Sequence, residues 1–161
     1  MLNSIKRFIK SVSGSSAVEF ALYLPILLLL VIGTTEVGYA ISQSVMLEKS
    51  IRSGALYAAR SDLPLSAASI TAVTNVIQKG NSNGTGNFLI DGWSDTAATL
   101  TITVSNYTLT TSSSVLGSDQ LPVITITARV PYQPILGNLM TDLGLGNITL
   151  SLSHEQAHIG V

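Results

Sequence analysis

An uninterrupted apolar run near the amino terminus constrains this chain more than any other feature. Residues 20–35 read FALYLPILLLLVIGTT and carry no charge. As a helix they measure about 24 Å, and with the apolar residues on either side they reach the ~20 residues that cross a bilayer. Pro25 removes one backbone hydrogen bond, which predicts a kink and not a stop. The run therefore predicts one membrane-spanning helix.

The residues before the run predict its orientation. Lys6, Arg7 and Lys10 precede it with no acidic residue among them. Basic flanks of a spanning helix stay in the cytoplasm. We therefore expect a cytoplasmic amino terminus and a carboxyl-terminal domain on the other side of the membrane.

The composition excludes several functional classes. The 161 residues include 8 Lys and Arg against 9 Asp and Glu, so no strong field exists to attract nucleic acid. Cysteine is absent, which excludes disulfides, thiolate catalysis and cysteine metal sites. The mean hydropathy of +0.46 is raised by the amino-terminal run. The remainder of the chain is expected to form a small polar domain.

The apolar helix is predicted to continue past the membrane, from about Ser15 to Arg60. Glu48 and Arg52 have the i,i+4 spacing of a weak helical ion pair. The second half of the helix is predicted to be amphipathic, with five apolar residues on one side of a 3.6-residue wheel: Val37, Ile41, Ile51, Ala55 and Ala59.

A second, shorter helix is expected after it. Asp62 is a candidate N-cap and Pro64 suits a first helical turn. Apolar residues recur at helical spacing up to about Gln78, and Lys79-Gly80 supplies a stop. A loop rich in Gly and Asn follows over residues 80–87.

Beyond this loop the apolar period changes from 3.6 to 2. Residues 100–104, 123–127 and 148–153 alternate aliphatic side chains with Thr and Ser. This pattern is typical of an antiparallel sheet with one face in water. The predicted class is α+β: a long amino-terminal helix over residues 15–60, then a domain over residues 61–161 with a short helix and about three or four strands.

The most specific motif is Gly-Ser-Ser-Ala-Val-Glu-Phe at residues 14–20. Gly14 directly follows a basic leader, residues 1–14, and Glu19 stands five places beyond it in the apolar helix. An unpaired carboxylate near the hydrocarbon costs roughly 2.5–3.5 kcal/mol on insertion scales, so it usually marks a functional site. If Glu19 only reaches toward the interface, it carries no such role.

From Gly14 to Arg60 the chain resembles the amino terminus of TadE-like pseudopilins, minor subunits of the tight-adherence (Tad/Flp) pilus machinery. The resemblance implies that a prepilin peptidase cuts between Gly14 and Ser15, and that Glu19 and Phe20 act in assembly. Glu36-Val37-Gly38 is similar to a second family feature, although Glu36 alone could simply mark the far membrane boundary. Residues 130–136 and 145–150 are similar to the family's carboxyl-terminal half, while residues 62–97 match nothing in it.

The resemblance implies a pilin-like fold and a non-enzymatic protein without a cofactor. Its expected partners are the prepilin peptidase, the major Flp pilin, other minor pseudopilins, the inner-membrane assembly platform and membrane lipid, and it has no nucleic-acid partner. Its expected location is the bacterial inner membrane, as a single-pass protein that can enter a pilus used for adherence. Once cut, Ser15 carries an ammonium, and Glu19 one turn along can pair with the amine of a neighbouring subunit and set axial register.

Two other functional classes are compatible with parts of the sequence. A secreted β-domain with an ordinary signal peptide would be cut after Ala40, but its apolar region exceeds the usual 7–15 residues and Glu36 falls in the cleavage region. A metalloenzyme could use His154-Glu155-Gln156-Ala157-His158, an H-E-x-x-H pattern that binds zinc when it lies on a helix. Here it follows a predicted strand, which disfavours a zinc site.

Several further side chains are predicted to have only structural roles. Asp91, Asp95 and Asp119 lie near predicted loops and lack the dense oxygen-ligand spacing of a dedicated calcium loop. Trp93, with Phe88 and Leu89, is predicted to pack in the core. The sequence therefore predicts no metal site.

Overall fold

The computed structural model describes residues 14–109, 120–137 and 148–160, without the side chain of Ser15. In these residues two helices, a short 3-10 helix and three strands follow one another: α1 (Ser15–Ala59), α2 (Ala67–Lys79), the 3-10 helix (Asp91–Ser94), β1 (Thr99–Thr108), β2 (Gln120–Pro131) and β3 (Thr149–Ala157). The predicted α+β class is confirmed, with three strands in the sheet. The chain divides into two compact units, Met1–Gly38 and Tyr39–Val161.

The part of α1 in the first unit has the length and composition of a membrane span. Its most apolar 18-residue window has a mean hydropathy of 2.2, and none of that window is buried. Phe20 and Leu22 are 59% and 70% exposed, which a lipid surrounding tolerates and water does not. The helix continues through Pro25. The hydroxyl of Thr35 donates to the carbonyl of Val31, so this polar group is satisfied within the helix.

The second half of α1 buries a stripe that differs from the predicted one. Ile51, Ala55 and Ala59 are buried as expected, whereas Val37 and Ile41 are both 60% exposed. Ile41 and Ala59 are 18 residues, or five full turns, apart and point in the same direction, so their different exposure reflects their position along the helix and not their angle around it. The stripe instead joins Leu47, Ile51, Gly54, Ala55, Ala58 and Ala59. Small side chains allow other elements to approach α1 closely along this stripe.

The second helix begins later than the sequence predicts. Its N-cap is Ser66, whose backbone is extended and whose hydroxyl accepts a 3.1 Å hydrogen bond from the Ser69 amide. Asp62 and Pro64 precede the helix and do not begin it, which corrects the predicted start. A cap stabilises only the turn that its side chain reaches, and helical backbone starts at Ala67. The predicted stop is confirmed, since Gly80 is left-handed and its N–H donates to Val76.

The sheet has the order β1-β2-β3, and both neighbouring pairs are antiparallel. In the central strand β2 four residues are fully buried: Ile124, Ile126, Ala128 and Val130. Thr125, Thr127 and Arg129 alternate with them on the other face, as period 2 requires. The buried face forms one core with the α1 stripe, Val73 and Ile77 of α2, and Trp93.

Candidate assembly site

Gly14 stands at the first position that the structure describes, directly before α1. It is exposed, and a Cβ placed on it would meet no atom within 4 Å. Its φ angle is outside the left-handed region in which glycine is favoured. Neither packing nor backbone conformation in the described chain therefore requires glycine here, and a requirement for glycine would have to come from outside this fold.

Glu19 and Phe20 lie on the first turns of α1, where both are exposed. Glu19 is four residues after Ser15, and a helix places residues so spaced on one face, about 6 Å apart along the axis. The side chain of Phe20 is 59% exposed beside it. The helix thus presents a carboxylate and an aromatic ring together, one turn from its own start.

Glu36 occupies a different position on the same helix. It lies 17 residues after Glu19, a rise of about 26 Å, so the structure does not bring the two carboxylates together. This rise is close to the ~30 Å thickness of a hydrocarbon core. Glu36 is 5% exposed, in contrast with the neighbouring Val37. The two carboxylates bracket the apolar segment near its ends.

The H-E-x-x-H residues lie at the end of β3, which runs to Ala157, and not on a helix. Four strand residues span about 13 Å, so the two imidazoles cannot share one zinc ion. His154 is opposite Ile126 on the core face of the sheet. Among the described residues, no group of three or more His, Cys, Asp or Glu side chains could hold a metal ion. The predicted strand context of the motif is confirmed.

The two histidines make different contacts. The carbonyl of Ser61, just past the end of α1, can only accept, so the Nε2–H of His158 donates to it at 2.8 Å. The amide of the next residue, Ile159, donates to Ala59 at 3.1 Å. The Nε2 atom of His154 is buried and has no hydrogen-bond partner within the described part of the chain. Residues 158–159 thus satisfy carbonyls that the end of a helix leaves open.

These contacts predict opposite effects for the two histidines. His158→Ala should lower the free energy of unfolding by about 1 kcal/mol, because it removes one hydrogen bond and leaves the Ser61 carbonyl without it. His154→Leu should have no destabilising effect, since it removes a buried polar atom that is unpaired. Denaturant unfolding of the full chain in detergent, followed by the fluorescence of Trp93, measures both. A zinc-dependent midpoint in the wild-type protein would contradict these structural roles.

The loop carboxylate Asp95 has partners within the fold. It accepts from the Ala97 amide at 2.9 Å and from the Gln133 side chain at 3.4 Å, while Asp91 begins the 3-10 helix. Asp119 lies outside the described residues. Trp93 is buried as predicted, with 6% of its surface exposed. Asp95 thus has a structural role in this loop.

The prediction that Phe88 and Leu89 join Trp93 in the core is wrong. They are 36% and 38% exposed. The ammonium of Lys79 lies 5.4 Å from the centroid of the Phe88 ring, a cation–π arrangement at the surface. An aromatic residue in a Gly-rich and Asn-rich loop does not reveal from the sequence which way it faces.

Sequence reasoning missed an outward apolar face on the second half of α1. Ile41, Val45 and Leu56 are 60%, 44% and 41% exposed, and none of them belongs to the buried stripe. The signal was present, since the helix has apolar residues on more than one side of its wheel. The prediction assumed one apolar face on the helical wheel, and it therefore placed buried and exposed aliphatic residues on the same face.

Within the described residues, one long apolar helix continues into a small α+β domain, which is the architecture of a helix-anchored protein, and the helix can serve as a membrane anchor. Residues 14–56 match the family model described as TadE-like protein, so this part of the chain is similar to that family, as the sequence indicated. A TadE-like segment indicates involvement in the Tad pilus system. The match covers α1 up to Leu56 and does not include the sheet.

Two further comparisons found no match. Neither the curated proteins nor the solved structures include one that matches this chain. The functional information therefore comes from α1 and its flanking residues.

Proposed function

We propose that this protein is a minor pseudopilin that takes part in assembly of a Tad/Flp-type pilus by packing its α1 helix against the helices of other pilins. The observation that carries the proposal is the TadE-like match over residues 14–56, which contains Gly14 and the Glu19 carboxylate one turn into α1. The exposed apolar surface of the same helix supports it. No described metal cluster or helical H-E-x-x-H motif favours a catalytic role.

The first step of the proposed function is processing. A prepilin peptidase cuts between Gly14 and Ser15 and leaves an ammonium on Ser15. Because α1 begins at Ser15, the new amino terminus is the first residue of this helix. An ammonium and a carboxylate make a charge-assisted hydrogen bond, which is stronger than a neutral one and gains from a low-dielectric surrounding.

The second step is assembly in the inner membrane. The Ser15 ammonium of one subunit pairs with Glu19 of a neighbour, and Phe20 packs beside that pair. The neighbours are the major Flp pilin and other minor pseudopilins on the assembly platform. Because desolvation offsets much of the attraction, the pair fixes axial register more than it adds affinity. Glu36 provides a second carboxylate at the other end of the apolar segment.

The third part of the proposal is topology. The basic residues 1–14 stay in the cytoplasm, α1 crosses the inner membrane once, and the domain of residues 61–161 lies on the periplasmic side or in the pilus. In that arrangement the sheet would be carried outside the membrane and could contribute to surface adherence.

Processing gives the direct test. Gly14→Leu is expected to leave an uncut precursor, because the fold places no demand on this position and a peptidase that reads the junction must fit its backbone. Gly33→Leu is the matched control, since a Cβ at Gly33 also meets no atom within 4 Å. Mass spectrometry of the amino terminus measures both. Ser15 ends in the Gly14→Leu protein would remove the processing step, and Ile41 ends in the wild type would favour the secreted-domain alternative.

A further inference from the structure

We propose that the turn at residues 134–137, which follows β2, inserts its two central side chains into the surface of the membrane that α1 crosses. The turn is closed by the amide of Gly137, which donates to the carbonyl of Pro134 at 3.4 Å. Its central residues are Ile135 and Leu136, which are 56% and 43% exposed. Turns in water are dominated by Gly, Pro, Asn, Asp and Ser, so two large aliphatic side chains at the centre of a turn indicate an apolar partner.

The start of β2 lies beside the end of α1. The amide of His158 donates to the carbonyl of Pro122 in β2 at 2.9 Å, and the amide of the next residue, Ile159, donates to the carbonyl of Ala59 at 3.1 Å. Ala59 is the last residue of α1. Residues 158–159 therefore join this end of β2 to the end of α1 that is farthest from the apolar segment.

The residues directly after β2 lie beside an earlier part of α1. The side-chain amide of Gln43 donates to the carbonyl of Gln133 at 3.4 Å, and the ring centroids of Tyr39 and Tyr132 are 6.2 Å apart. β2 therefore runs antiparallel to this part of α1. The turn at residues 134–137 follows at the end of β2 that is nearer the apolar segment.

A third exposed aliphatic residue lies at the same end of the sheet. The carbonyl of Ile148, one residue before β3, accepts from the amide of Tyr132 at 2.8 Å. Ile148 is 43% exposed. Residues 130–137 carry no charge. Ile135, Leu136 and Ile148 thus form an apolar patch at this end, and the partner that fits it is apolar and not charged.

The helical rise along α1 places the patch at the membrane surface. The uncharged run ends at Thr35, and Tyr39 follows four residues later, a rise of about 6 Å. A bilayer of about 40–45 Å with a hydrocarbon core of about 30 Å has an interfacial layer roughly 5–8 Å thick on each side. Tyr39 falls in this layer, where tyrosine is enriched. The patch adjoins Tyr132, whose ring faces that of Tyr39, and it therefore meets the lipid at headgroup depth.

The inference rests on the membrane anchoring in the proposed function and adds a second membrane contact to it. A single helix leaves the attached domain free to tilt at the end of the span. A turn inserted beside the helix holds the domain in one orientation before any other pilus protein binds. Lipid is the partner that this position provides, because the patch lies within one helical turn of the apolar segment along α1.

Fluorescence quenching tests the contact in the full chain, which has no native cysteine. Ile135→Cys carries an environment-sensitive fluorophore in phosphatidylcholine nanodiscs with a single protein copy per disc and a nitroxide on the upper acyl chain. Ile159→Cys is the matched control, because Ile159 is 67% exposed and bonds to Ala59, about 30 Å beyond Tyr39 along α1. Quenching at position 135 should exceed that at position 159 severalfold. Equal quenching at the two positions would overturn the proposal.

A label in the apolar segment separates failure of the turn contact from failure of the anchor. Leu28→Cys serves here, because Leu28 is 52% exposed in the middle of the predicted span. Quenching at position 28 without quenching at position 135 would retain the anchor and reject the turn contact. Quenching at neither position would reject both. Quenching at both positions, in a strain whose pili do not depend on this chain, would retain the turn contact and remove the pseudopilin role.

A charge in the turn tests whether its apolar side chains cause the insertion. Ile135→Asp in an Ile148→Cys protein should lower the quenching at position 148 severalfold, because a carboxylate withdraws the turn from lipid. Ile159→Asp is the matched control and should change nothing. Both substituted side chains are exposed, so the unfolding followed by Trp93 fluorescence should stay the same. Unchanged quenching with Ile135→Asp, or quenching that requires anionic lipid and is lost in high salt, would reject this apolar contact.

Discussion

Gly92→Ala is expected to destabilise the domain of residues 39–161 strongly, and more than Gly54→Ala does. Gly92 is buried in the 3-10 helix, and a Cβ on it would overlap the backbone carbonyl oxygen of Pro131 and approach Val130 Cγ1 to 2.6 Å. Both neighbours belong to the end of the central strand β2, where Val130 and Pro131 pair with Leu150 and Thr149 of β3, so they cannot move without disturbing that pairing. Overpacking costs typically 1–3 kcal/mol, and backbone overlap places this case at about 3 kcal/mol or more.

Gly54→Ala provides the comparison for this expectation. A Cβ at Gly54 would overlap Cγ1 of the buried Ile77 and approach its Cδ1 to 2.7 Å, but these are side-chain atoms, which shift more readily than a paired backbone carbonyl. Gly54 also lies inside α1, where alanine is favoured over glycine by about 1 kcal/mol and offsets part of the steric cost. The net loss should be about 1 kcal/mol.

Denaturant unfolding of the full chain in detergent measures both glycine variants. Trp93 is the single tryptophan and is 6% exposed, so its fluorescence reports opening of this core. If the Gly92→Ala and Gly54→Ala proteins had the same free energy of unfolding, the close approach of the 3-10 helix to β2 would be refuted. The linear dependence on denaturant gives the difference directly if the slope is unchanged.

The parts of the fold that the sequence predicted well are those with one dominant signal. The alternation around Leu100, Ile124 and Leu150 placed all three strands, because Thr and Ser between aliphatic residues fit only a half-buried strand. The end of α2 at Gly80 was equally clear, since a left-handed position after a helix favours glycine. The start of α1 followed from the apolar run.

The parts that the sequence did not predict had competing signals or depended on tertiary contacts. Asp62 and Ser66 are both good caps, and local chemistry could not choose between them. On α1, Ile41 and Ala59 point in the same direction but only Ala59 is buried, because the position of the sheet and α2 along the helix decides which part of it is covered. Phe88 lies at the surface with the Lys79 ammonium over its ring, which hydrophobicity alone does not reveal.

The candidate site follows a different logic from the fold. The structure gives no packing reason for glycine at Gly14 and places Glu19 exposed on an apolar helix, so folding alone does not account for either residue. Packing in the core requires neither Gly14 nor Glu19, and for residues of this kind a sequence pattern is informative about function. Their proposed roles depend on partners, and a single chain does not reveal the geometry of a pair between chains.

The role of Glu19 can be separated from simple anchoring by substitution. If the carboxylate pairs with the Ser15 ammonium of a neighbour, Glu19→Ala and Glu19→Gln should keep insertion and cleavage but abolish incorporation and pili, because both remove the charge that sets register. Glu19→Asp should give an intermediate result, since it keeps the charge and shortens the reach.

The opposite expectation holds if Glu19 only extends toward the interface. Removing a carboxylate that costs roughly 2.5–3.5 kcal/mol on insertion scales would then leave output unchanged or improve membrane insertion. Pilus counting and crosslinking to the other pilins, in strains with each variant as the sole copy, distinguish the two. Glu36→Gln serves as the control carboxylate, because it lies about 26 Å away along the same helix and cannot reach the same amine. Wild-type pili and wild-type crosslinks in the Glu19→Ala strain would show that α1 anchors the protein without setting register.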